Sequence, residues 1–379
     1  MHPRPAQPAR WSIDDRPPAT RPADGFESPG MRAVFLDGAP WRGRATRIFA
    51  WIGLPEGASA RARVPGMVLI HGGGGSAFAH WVDLWTKRGY AAIAMDTCGH
   101  TPDHGAHRRD HHAEGGPSGW GAYETVDEPV RDQWTWHAVD AVLRSHSLLR
   151  SLPEVDARRI GVTGISWGGF LTSIVAGHDP RFRCAMPVYG CGRIRESPGL
   201  GLDHAAPGVA DRWDALWDPI RHVGGARMPM HWSNGTNDFA FTPPMWQDTH
   251  DRARGTRTLT FLKEWGHGHT EGQVRPEIHA FADAELRGER PLARAVAFRT
   301  EKGLARAHFT EPVPLRGAEL LWTTRAEGPW PARKWNSAPA NVLRGGRVEA
   351  EVPRDAVAWF VNGVDSRGLA TSTRWEGKA

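Results

Sequence analysis

The sequence predicts an α/β fold, a mostly parallel sheet flanked by helices, followed by an all-β sandwich. Three observations predict it. Two continuous apolar runs, Gly66-Met67-Val68-Leu69-Ile70 and Tyr90-Ala91-Ala92-Ile93-Ala94-Met95, bracket a stretch in which Phe78, Trp81, Val82 and Trp85 recur at helical spacing. That is a βαβ unit whose strands are buried on both faces. The segment from Val130 to Leu149 places Val130, Trp134, Ala138, Ala141 and Val142 on one helical face and leads into the strand Arg159 to Thr163. From about Pro291 helical periodicity stops, and short alternating segments separated by turn residues take over. The 379 residues then divide into an arm (1–30), an α/β domain (31–290) and a C-terminal β-sandwich (291–379).

The arm carries 7 prolines, with Trp11, Ile13 and Phe26 as its large apolar groups. So little apolar surface offsets little ordering entropy, and Trp11 is the residue expected to lay the arm on the surface. Ala33 to Leu36, a turn at Asp37-Gly38, and Ala45 to Ile52 read as an antiparallel hairpin. After Thr163 come an apolar helix from Phe170 to Ala176 and strands at Arg183–Tyr189, Met228–Trp232 and Leu259–Leu262, closed by a helix from Pro276 to Leu286. Short strands follow at Ala305–Phe309, Glu319–Trp322, Arg347–Val352 and Val357–Val361.

Net charge is +5, and the cations are scattered among acids without a basic run, which argues against nucleic-acid binding. Cys98, Cys184 and Cys191 form no CxxC, so a disulfide framework is not expected and a reducing compartment is. With no apolar stretch of 18 residues and no apolar segment after the basic N-terminal residues, the expectation is a soluble, cytoplasmic protein without membrane contact. Association into a homo-oligomer is left open.

Gly164-Ile165-Ser166-Trp167-Gly168 fits G-x-S-x-G between a buried strand and an apolar helix. There glycines permit the sharp turn that lifts a serine hydroxyl above a sheet. His71-Gly72-Gly73-Gly74-Gly75 follows the strand ending at Ile70, and such a loop brings backbone N–H groups close to a developing oxyanion. The Trp167 amide is one expected donor and Gly74 the second. A serine nucleophile needs a base and an orienting acid later in the chain. Asp238 lies in the polar loop Ser233 to Asp238 just past a strand. In Trp265-Gly266-His267-Gly268-His269 the flanking glycines favour His267 as base, with His269 as the other candidate. His71, Trp120, Tyr189 and Trp246 are candidate walls of a substrate pocket. Five histidines between His100 and His112, including His104-Gly-Ala-His107 and His111-His112, lack a completing ligand set, so neither metal nor cofactor is expected.

These residues resemble the α/β-hydrolase superfamily, in its acetylxylan esterase or dienelactone hydrolase-like branch that borders the prolyl-oligopeptidase hydrolases. Beyond the serine turn, the resemblance rests on His71 to Phe78, Trp81, Arg88 to Asp96 and Gly235-Thr236-Asn237-Asp238-Phe239, within about residues 31 to 290. It implies Ser166 as nucleophile, Asp238 as acid and His267 as base. The chain departs from dienelactone hydrolases, which use a cysteine, and lacks the Arg-Gly-Gln and Gly-x-Ser-Gln-Gly motifs of cephalosporin C deacetylase-type esterases. Trp330 to Trp335 and Trp359 to Asp365 resemble a sandwich appended to certain hydrolases. The function expected is a serine carboxylic-ester hydrolase working through an acyl-enzyme on small-molecule or carbohydrate-linked esters. The rivals are a prolyl-oligopeptidase-type peptidase, for which the length leaves no room for a propeller, and a non-catalytic carbohydrate-binding or scaffold protein with a vestigial core.

Overall fold

The computed structural model describes residues 8–102, 110–119, 123–200, 208–325 and 328–377; Trp120, His104 and His107 lie outside them. The main sheet has nine strands in the order β1-β2-β3-β5-β4-β8-β9-β10-β11. These are β1 (Thr20–Pro22), β2 (Met31–Asp37), β3 (Arg47–Gly53), β4 (Val64–Ile70), β5 (Ala91–Met95), β8 (Val155–Ile165), β9 (Cys184–Val188), β10 (Met230–Gly235) and β11 (Arg257–Leu262). The strands from β5 to β11 in that order run parallel, and β1, β2 and β3 add antiparallel at one side. A short pairing of β6 (His100–Thr101) with β7 (Asp110–His111) stands apart.

β4 and β5 are apolar throughout because helices cover both faces of the sheet. Helix α1 (Ala79–Thr86) meets α7 (Pro276–Arg287) on one face, where the Trp85 and His279 rings touch. Helices α2 (Trp134–Ser151) and α3 (Trp167–His178) pack together on the other. Three further helices were not expected from the sequence: α4 (Val209–Trp217), which buries Trp213, Leu216 and Trp217, α5 (Pro243–Arg252) and α6 (His269–Gln273). Among the described residues no helix is long and apolar enough to cross a membrane.

Within the segment read as an arm, Trp11 donates its indole N–H to the Trp136 carbonyl and packs against His178, Trp217 and His222. Farther along, β1 pairs with β2. Ordering comes here from docking onto an existing surface, which local composition does not register.

The C-terminal region forms two antiparallel sheets. One contains β12 (Ala295–Glu301), β13 (Leu304–Phe309), β16 (Asn341–Leu343) and β17 (Arg347–Glu351); the other contains β14 (Leu315–Thr323), β15 (Asn336–Pro339), β18 (Ala358–Asp365), β19 (Ala370–Ser372) and β20 (Glu376–Gly377). Leu320 and Val361 belong to the core between these sheets, with Ala305, Phe309 and Val348. Their neighbours Leu321 and Phe360 join the core of the α/β body. Successive side chains of a strand point to opposite faces, so β14 and β18 are apolar on both because each face is covered. The second sheet also closes the edge of β11. The Phe261 amide donates to Ser372 Oγ at 2.7 Å, and Asn362 Nδ2 donates to the Phe261 carbonyl at 3.2 Å. Pairing an edge in this way removes a site for unwanted strand addition.

Candidate active site

Ser166 sits between β8 and α3 with φ 59° and ψ −117°, a conformation that costs a non-glycine residue about 1–3 kcal/mol. Its neighbours must be small. A Cβ on Gly164 would come 2.2 Å from the Gly168 carbonyl oxygen, and one on Gly168 would come 2.0 Å from that of Ile70. The turn is held from the core, as Ser166 N–H donates to the Val188 carbonyl and Phe170 N–H donates to the Ser166 carbonyl.

Asp238 and His267 reach Ser166 from the loops after β10 and β11, at the carboxyl ends of parallel strands. His267 Nε2 is 2.9 Å from Ser166 Oγ, and His267 Nδ1 is 2.7 Å from Asp238 Oδ2. A carboxylate only accepts, so Nδ1 carries the ring hydrogen and Nε2 is free to accept from the serine hydroxyl. The other carboxylate oxygen takes the amides of Ala240 and Phe241, each at 2.8 Å. Asp238 is fully buried, and His267 is nearly so. The arrangement can draw a proton from the serine and hold the resulting imidazolium.

His269 is not in this line. Its ring packs on Phe78 and Trp81, neither nitrogen has a partner, and burial lowers its pKa to about 3. Of the two candidate bases, the structure brings His267 to the serine.

The glycine loop closes a turn in which Gly75 N–H donates to the Gly72 carbonyl and Gly74 has φ +72°. The Trp167 amide is in the first turn of α3, where N–H groups have no intrahelical acceptor. The loop is braced from below. His71 Nε2 accepts the Thr97 N–H at 3.0 Å, its Nδ1 donates to the Gly72 carbonyl, and the Thr97 carbonyl accepts the Trp134 indole N–H at 2.8 Å. The Trp134 ring meets Trp167 edge-on.

Three residues expected to line a pocket do other things. His71 is buried with both ring nitrogens engaged, so it supports the glycine loop. Tyr189 is buried behind His267, stacked on its ring at a centroid distance of 4.3 Å, and its hydroxyl donates to the Gly266 carbonyl at 2.8 Å. Trp246 is in the core between α5 and β11, packed on Phe261 and His250. A large aromatic type does not distinguish a pocket wall from packing, and here packing accounts for both. Phe239 was not singled out from sequence. Its ring is 52% exposed, with its centroid 4.8 Å from that of His267. Its place directly after Asp238 was the available signal. Among the described residues no three His, Cys, Asp or Glu side chains converge in a way that could hold a metal ion.

Similarity to known proteins follows this layout. Residues 40–191 match the family model of acetyl xylan esterases. An acetyl xylan esterase from Paenibacillus sp. R4 superposes with a TM-score of 0.56 at 21% identity, covering 72% of this chain and 90% of that one. The chain has the α/β-hydrolase fold. The acylaminoacyl peptidase of Pyrococcus horikoshii superposes with a TM-score of 0.52 at 16% identity, covering 68% of this chain and 42% of that one. An uncharacterized peptidase of Bacillus subtilis is 28% identical over 204 residues, which are 50% of this chain. The chain spans only 28% of that relative's length.

Proposed function

We propose that this α/β-hydrolase is a serine carboxylic-ester hydrolase. The observation that carries the reading is the line from Ser166 Oγ through His267 to Asp238, with contacts of 2.9 and 2.7 Å. Ser166 attacks the ester carbonyl while His267 Nε2 takes its proton, and Asp238 holds the ring and balances the imidazolium. The Trp167 amide and an amide of the Gly72–Gly75 turn, assigned to Gly74, receive the oxyanion, and each such donor is worth about 10²–10³ in rate. His267 then gives its proton to the leaving alkoxide, and a water activated by the same ring releases the acid.

The match to acetyl xylan esterases supports a short acyl group on a carbohydrate. The exposed Phe239 ring beside His267 supports a leaving group with a flat apolar face, such as a sugar ring. The similarity to a peptidase favours a second reading, amide hydrolysis by the same residues. Purified protein should be assayed on p-nitrophenyl esters from acetate to octanoate, on acetylated xylo-oligosaccharides and on aminoacyl p-nitroanilides. The esterase reading predicts that kcat/KM is highest for acetyl esters and at least 10²-fold lower for anilides. Anilide turnover matching or exceeding ester turnover would overturn it in favour of the peptidase.

A further inference from the structure

We propose that the C-terminal β region is part of the catalytic apparatus: its turn Trp330–Arg333 holds the acid and base loops in register through Asn237, a positioning residue. The inference rests on the proposed roles of Asp238 and His267. The nucleophile's backbone is held within the α/β body, donating to the Val188 carbonyl and accepting the Phe170 N–H. Its partners are supported differently. They sit on loops after β10 and β11, the last strands of the sheet, and the free edge of β11 is covered by C-terminal residues.

Asn237 precedes Asp238 directly. Its Nδ2 donates to the Pro331 carbonyl at 2.9 Å and to the Arg333 carbonyl at 2.6 Å, so both amide hydrogens are used on the C-terminal turn. Its Oδ1 accepts the Thr236 hydroxyl at 2.7 Å, and that hydroxyl oxygen accepts the Glu264 N–H at 2.9 Å. Glu264 lies in the loop that carries His267. Every donor in this chain points the same way, from the base loop through the acid loop to the C-terminal turn, an order in which hydrogen bonds reinforce one another.

The receiving carbonyls are fixed. Trp330–Ala332 is a 3₁₀ turn, closed by hydrogen bonds from Ala332 N–H to the Pro329 carbonyl and from Arg333 N–H to that of Trp330. The Arg333 guanidinium lies 3.7 Å from the centre of the Trp330 ring. Trp335 packs on Phe261 of β11 and on Phe360 of β18. Acid loop, base loop and turn therefore close on the same strand edge. Misplacing a catalytic group by about 1 Å can cost about 10²-fold in rate, so the latch acts on turnover rather than on substrate binding.

The test compares Asn237→Asp and Asn237→Ala with the full-length protein on p-nitrophenyl acetate, with turnover expressed per active site titrated by a fluorophosphonate. Asn237→Asp keeps the shape but replaces Nδ2, which donates both hydrogens, by an oxygen that faces two carbonyls. The expected result is a roughly 10- to 100-fold loss in turnover for Asn237→Asp and a smaller loss for Asn237→Ala, with KM within about threefold of wild type. If Asn237→Asp does not fold, Asn237→Ala alone must lose turnover by at least about threefold. Turnover per titrated site within twofold of wild type in every folded variant, or a loss confined to KM, overturns the latch. Wild type that neither hydrolyses the ester nor labels would instead overturn the esterase reading.

Discussion

Replacing Tyr189 by Phe separates a residue that positions the base from one that touches substrate. The hydroxyl makes a 2.8 Å hydrogen bond to the Gly266 carbonyl, immediately before His267, and the ring stacks on the imidazole at 4.3 Å. Phenylalanine keeps the stack and removes the donor, leaving a part-buried carbonyl without its partner. Such a loss costs about 1 kcal/mol. If the cost is felt in the placement of His267, kcat falls about fivefold, because 1.36 kcal/mol corresponds to a factor of ten. Tyr189→Ala removes the stack as well and should lose more. The assay is steady-state hydrolysis of p-nitrophenyl esters from acetate to octanoate. The expected outcome is that kcat falls by a similar factor for every ester while KM holds. A change in KM that varies with acyl length, with kcat preserved, would mean that Tyr189 contacts substrate and that its positioning role is wrong.

Gly168→Ala should destabilise the protein by at least about 2 kcal/mol in urea unfolding and reduce activity. Its Cβ would meet backbone atoms of Ile70 and His71 rather than a movable side chain; unchanged stability would refute the close approach of α3 to β4. Acid should destabilise the fold steeply. Burial holds His146, His178 and His279 down to about 4 and His222, His231 and His269 down to about 3. The unfolded chain takes up these protons near pH 6.5, so their contribution is complete above that pH and is lost as pH falls toward 4, at up to about 1.4 kcal/mol per group per pH unit. Asp214, raised to about 6 by burial, acts in the opposite sense and offsets one of them. Equal urea midpoints at pH 7.5 and pH 5 would contradict this. His269→Leu removes one such group and two partnerless nitrogens. It should leave kcat within twofold and gain about 2 kcal/mol over wild type at pH 5; a large loss of kcat would return His269 to the catalytic chemistry.

The serine turn was legible because its chemistry is written in local spacing: Gly164 and Gly168 are demanded by backbone atoms within van der Waals reach. The central strands were legible because burial on both faces leaves continuous apolar runs in β4 and β5. Helix α5 was not, since it opens on Pro243-Pro244 and carries polar residues along most of its length. The roles of His71, Tyr189 and Trp246 were hidden for another reason. An aromatic side chain looks the same in sequence whether it faces a pocket or braces a loop, and only the partners of its polar atoms decide. Asn237 was invisible as a latch because its acceptors lie 94 and 96 residues away, on backbone carbonyls that any residue type supplies.

The central claim, that Ser166 is an activated nucleophile, is tested most directly by reacting the native protein with a fluorophosphonate while following both ester hydrolysis and intact mass. One adduct per chain is expected, located at Ser166 by peptide mapping, with hydrolysis lost in proportion to labelling and no adduct on Ser166→Ala. An adduct at another residue, or hydrolysis that survives complete labelling of Ser166, would contradict it.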